Sequence, residues 1–151
     1  MKLGIAPRVA AAAVAVVLVA GCGDGTDPTL SAAHDACSSE VDEDVTDEEL
    51  EGRMLRLADG GKSLIVRPSS TETDPDLGDE FAELMTELMV ALSYEMATCV
   101  LDEVGASEAM KARFEATRPM DGVQTAEHDE YGYTWSYNPN AGVSLTVERV
   151  N

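Results

Sequence analysis

The longest unbroken apolar run in the chain is Val9 to Ala20, built of Ala, Val and Leu behind the positive charges of Lys2 and Arg8. Beyond it the pattern becomes periodic. Arg53 to Leu57 and Ser63 to Arg67 alternate apolar and polar positions around Ala58-Asp59-Gly60-Gly61-Lys62, which predicts a β-hairpin. Pro68 to Gly78 has no period and contains two prolines, so it reads as an exposed loop. From Asp79 to Val104, Phe81, Leu84, Met85, Leu88, Leu92, Met96, Cys99 and Val100 recur at three- and four-residue steps, predicting a long amphipathic helix closed by Gly105. Ser107 then caps a second helix, Glu108 to Thr117, which Pro119 and the Asp121-Gly122 turn end. Three antiparallel strands follow at Val123–Glu127, Tyr131–Tyr137 and Val143–Arg149. A short helix over Ser31–Ser38 completes the expected set. The class is α+β: an antiparallel sheet made of an N-terminal hairpin and a C-terminal three-strand meander, with one long and one short helix packed on one face.

Within that pattern one strand is unusual, because Tyr131, Tyr133, Trp135 and Tyr137 account for four of only seven aromatic residues and all point to one side. Alternation beside the Val143, Leu145, Val147 strand favours a stripe packed under the long helix as core. The alternative is an exposed aromatic platform that binds a small ligand, glycan or peptide, with the Tyr hydroxyls at its rim.

The N-terminal run changes the picture of where the domain resides. It is too short to span a bilayer, which takes roughly 20 apolar residues, and it has the layout of a secretory signal. It ends Leu18-Val19-Ala20-Gly21-Cys22, the pattern of a bacterial lipobox, in which cleavage precedes the Cys and Cys22 receives palmitate-type acyl chains. The competing reading is a plain signal peptide cut at Ala20, leaving Cys22 a free thiol. The expected organisation is residues 1–21 as signal peptide, 22–30 as tether and 31–151 as one α+β domain, held by lipid on the outer face of the cell membrane. Of 151 residues, 130 remain after cleavage; Lys2 and Arg8 go with the signal, so 8 basic residues face 29 acids and the net charge is −21. A chain this acidic repels a phosphate backbone and excludes nucleic acid as a partner. From Cys22 through Gly52 there are 11 acids and no Lys or Arg, a charge that pushes the segment from anionic headgroups. With Cys22 acylated, Cys37 and Cys99 are an even pair in an exported chain and a disulfide is the default. The rivals are two free thiols or a metal pair, though no C-x-x-C pair or His cluster supports zinc.

No catalytic constellation emerges from the remaining residues. His34 lies near the acidic segment and His128 in a turn beside Asp129, neither with a nucleophile identifiable by motif. Asp42, Asp44 and Asp47 approximate the start of a calcium loop, yet Asp47 stands where Gly is needed and Arg53 where Glu is needed. Asp74 to Met85 fails in the same way. No phosphate-binding Gly loop, metal set or cofactor motif is present. An acid pair doing hydrolysis stays open as the least favoured reading, because nothing in the sequence selects two carboxylates.

The lipobox, together with Cys99-Val100-Leu101-Asp102-Glu103-Val104-Gly105-Ala106, Glu115 to Gly122 and Tyr133-Thr134-Trp135-Ser136-Tyr137-Asn138-Pro139, resembles small lipoproteins of high-GC Gram-positive, actinobacterial type. The resemblance implies an envelope location and a compact α+β domain, and it implies no activity for any residue. At topology level the helix-helix-three-strand order is also similar to small envelope-assembly lipoproteins and to β-lactamase inhibitor repeats. The expected function is binding or structural interaction in the envelope, with a protein or glycan partner.

Overall fold

The computed structural model describes residues 25–38, 54–68 and 78–150. Helix α1 (Pro28–Ser38) leads into a hairpin, β1 (Leu55–Ala58) and β2 (Ser63–Val66). Then come the long helix α2 (Asp79–Glu103), the short helix α3 (Glu108–Glu115) and a single 3-10 turn, Pro119–Asp121. The meander β3 (Gln124–His128), β4 (Tyr131–Asn138) and β5 (Gly142–Arg149) ends the fold. Five strands form one sheet in the order β1-β2-β5-β4-β3, antiparallel throughout. The hairpin therefore docks on the last strand of the chain, and β5 becomes the centre of the sheet.

Register shows why one face is core. Trp135 lies opposite Leu145, Leu145 is level with Val66, and Val66 with Leu55; the next row is Tyr133, Val147, Leu64 and Leu57. All but Leu57 are fully buried. The opposite face carries Thr134, Thr146, Ile65 and Arg56 in one row, polar except for the buried Ile65, so the main core lies on one side of the sheet. Asp59, Gly60 and Gly61 all take positive φ in the hairpin turn, the geometry that the Asp-Gly-Gly sequence favours.

Helix α2 stops where Gly105 enters the left-handed region at φ 70°, with its N–H bonded to the Asp102 carbonyl and that of Ala106 to the Leu101 carbonyl. Ser107 caps α3, its hydroxyl accepting from the Met110 N–H at 3.3 Å. By length and composition α2 is apolar enough to cross a membrane. Its C-terminal half is instead the helix over the sheet, burying Met89, Ser93, Met96, Ala97, Val100 and Leu101. Cys99 on this helix is disulfide-bonded to Cys37 of α1, with Cα atoms 5.9 Å apart, as the cysteine count predicts.

Two features differ from what the periodic pattern alone conveys. The apolar stripe of α2 does not stay buried along its whole length: Phe81, Leu84 and Leu88 are 46%, 60% and 47% exposed. Twenty-five helical residues run about 37 Å, whereas an eight-residue strand runs about 26 Å, so the first turns of α2 overhang the sheet. The domain also begins before residue 31. The Thr26 hydroxyl donates to the Gly60 carbonyl, the Asp27 N–H to the Gly61 carbonyl, and Leu30 is fully buried.

Asp27 explains that earlier start. Its carboxylate is 3% exposed, accepts from the N–H groups of Thr29 and Leu30 as the cap of α1, accepts the Tyr131 hydroxyl at 3.0 Å, and pairs with the Arg149 guanidinium at 3.2 Å. A buried carboxylate is tolerated only when its lone pairs are filled in this way. Cys22 and the signal segment lie outside the described residues, as do the acids between 39 and 53.

Candidate aromatic cleft

The best-formed concavity is a cleft of about 400 Å³ where α2, α3 and the far end of β4 and β5 meet. It exists because α3 follows the Gly105 bend after α2 and holds Phe114 against Trp135 of β4. On one wall Val90, Tyr94 and Glu95 come from α2; on the other, Phe114 and Glu115 come from α3. Trp135, Ser136 and Tyr137 of β4 and Val143 of β5 form the floor.

The aromatic rings are fixed by their neighbours. Trp135 is 2% exposed and its indole N–H donates to the Thr117 hydroxyl at 2.8 Å. Phe114 packs on it at 6.5 Å between ring centroids, tilted 54°, and Tyr94 packs on Phe114 at 5.4 Å, tilted 32°. The Arg113 guanidinium lies over the Trp135 ring, 5.5 Å from its centroid. Beneath the cleft, the Ser93 hydroxyl donates to the Val90 carbonyl at 2.8 Å and accepts from the Val143 N–H at 2.9 Å, tying α2 to β5. The tie needs Gly142 beside it: φ is +99° and a Cβ there would strike the Ser93 hydroxyl.

Electrostatically the cleft is negative. Glu95 and Glu115 both line it, both are exposed, and neither forms an ion pair or hydrogen bond with a described residue. Burial pushes the Tyr94 phenol above its ordinary range, and the neighbouring Glu115 charge pushes it further in the same direction. Tyr94 is therefore a neutral hydroxyl at physiological pH, able to donate a hydrogen bond.

The four aromatic residues singled out from the sequence divide between two places. Tyr131 and Tyr133 are 8% and 1% exposed, so at these positions the favoured reading of a packed stripe holds and the exposed-platform alternative does not. The cause is the helix layer itself, which covers that end of β4. Trp135 and Tyr137 reach the cleft, Trp135 as its floor and Tyr137 half-buried at the edge. Sequence reasoning missed Tyr94, Glu95, Phe114 and Glu115. Val90 and Tyr94 are an i, i+4 pair on a helix face beside the main stripe, a spacing that could have flagged them.

The histidines stay apart from the cleft. His128 ends β3 with its Nε2 3.5 Å from Asp129, and His34 on α1 lies 3.3 Å from Asp35. No group of three or more metal-ligating side chains converges among the described residues. No family model, curated protein or solved structure matches this chain, so the geometry of the cleft stands as the sole basis for a functional reading.

Proposed function

We propose that this chain is an extracytoplasmic lipoprotein, held to the cell membrane through Cys22, whose folded domain binds a partner or small ligand in the aromatic cleft. The lipobox and the resemblance to actinobacterial envelope lipoproteins support the location. One observation carries the binding reading: rigid rings from three elements surround an open cavity of about 400 Å³, the size and composition of small-ligand sites. Of these rings Trp135 and Phe114 are buried, while Tyr94 and Tyr137 leave ring surface open to the cavity at a cost of roughly 25 cal/mol per Å². The hydrolase reading gains two carboxylates in one cleft, Glu95 and Glu115, but both are open to solvent and neither is hydrogen-bonded to a described residue. Their contribution is charge.

The test is a titration of the full chain, in a non-ionic polyoxyethylene detergent, with a set of small water-soluble aromatic and aliphatic fragments, followed by amide and indole NMR resonances. Binding should shift Trp135 Nε1–H, Thr117, Tyr94 and Tyr137 together while leaving the β1–β2 hairpin unmoved. If no fragment shifts these resonances, the cleft is not a binding site.

A further inference from the structure

Resting on the binding reading, we infer that the cleft selects a cation: an alkylammonium or guanidinium group that enters beside Tyr94 and Tyr137 and is held by Glu95 and Glu115. Three independent features point the same way. The lining includes the partly exposed rings of Tyr94 and Tyr137, and the negative quadrupole of an aromatic face attracts positive charge. It also supplies two carboxylates that no described cation neutralises, on opposite walls of the same opening. Within the chain, Arg113 already makes one such contact, its guanidinium 5.5 Å from the Trp135 ring centroid.

Long-range charge acts in the same direction. With a net charge of −21 on the cleaved chain, the field around the domain draws cations and repels anions before any contact is made. The Tyr94 hydroxyl, kept neutral, leaves the recognition to the carboxylates and rings. Glu95 and Glu115 lie on separate helices, α2 and α3, so one ligand charge placed between them bridges both walls.

Sole tryptophan Trp135 reports binding directly through its emission. The full chain, in the same non-ionic detergent, is titrated with n-butylammonium, n-butylguanidinium, the neutral n-butanol of equal size and the anion butyrate. The cations should bind about tenfold more tightly than n-butanol, the scale of a desolvated cation contact, and butyrate should not bind. Glu95→Gln and Glu115→Gln should each weaken the cations severalfold and together bring them level with n-butanol, with melting temperature unchanged because both side chains are exposed. Capped Ala-Lys-Ala and Ala-Arg-Ala peptides separate the sources: tighter binding than the free amines identifies a basic side chain of a protein partner, and equal binding identifies a free small cation. If n-butanol binds as tightly as the cations, or the double variant keeps its cation preference, the charge inference falls while the cleft remains a binding site. If nothing binds, both fall.

Discussion

Tyr133 buries its hydroxyl within the core, where no described group lies within hydrogen-bonding reach. Two positions earlier on the same strand, Tyr131 donates to Asp27. The contrast yields opposite expectations for the same chemical change. Tyr133→Phe removes an unpaired polar atom and should leave stability unchanged or raise it by up to about 1 kcal/mol, whereas Tyr131→Phe strands part of a buried carboxylate and should cost about 1–2 kcal/mol in urea unfolding. Tyr133→Phe unfolding at markedly lower urea than wild type would refute this. Alkaline pH gives a second readout. Burial raises both phenols above their ordinary value of 10, so the folded state favours the protonated form; that stability is complete below pH 10 and is lost as pH climbs through the raised values. Tyr133→Phe should therefore move alkaline unfolding to higher pH. Alternation along residues 131–137 was enough to place these rings on one face. Their partners were not legible, because Asp27 lies 104 positions from Tyr131 and nothing local connects them.

Helix α2 and strand β5 are joined at a point where two small residues must coincide. Gly142→Ala should cost at least ~2 kcal/mol, since the residue sits at φ +99° and its Cβ would displace Ser93. Ser93→Ala leaves the Val143 N–H buried without its acceptor and should cost roughly 1–3 kcal/mol. Because removing the hydroxyl also opens room for the added methyl, the double variant should be less destabilised than the two changes summed, a coupling that a double-mutant cycle measures. Strict additivity would mean that the two residues do not share this contact. At this scale the sequence was most informative. Period, caps and turn residues located the hairpin, both later helices and the meander within a few residues. What period cannot report is the length of the partner surface, which is why the apolar period runs on through Phe81, Leu84 and Leu88 although these side chains are exposed.

Across the whole molecule, the cysteine count left Cys37 and Cys99 as an expected pair once Cys22 was assigned to the lipobox, and that bridge is present. Sheet order was not legible, since pairing of the early hairpin with the last strand is a contact between chain ends that no local pattern encodes. The cleft was only half legible for the same reason: β4 announced its aromatics, but the walls come from two helices whose packing sets which side chains face them. Localisation is decided by one substitution. Cys22→Ser should shift the protein from the membrane pellet to the soluble exported fraction, and unchanged retention in the pellet would reject the lipid anchor.

The pinning of Asp27 gives such an anchor a direction. Only four peptide links separate Cys22 from Thr26, a leash of at most ~14 Å, so an acylated Cys22 holds the hairpin-turn end of the domain down on the headgroups. The cleft opens at the other end of β4, six residues and about 20 Å from Tyr131. Such a tether would keep the hairpin-turn end of the domain nearer the bilayer than the cleft. Spin-labelled lipid should broaden the resonances of Gly61 and Lys62 and spare those of Trp135; equal broadening at both ends would mean that the domain lies flat.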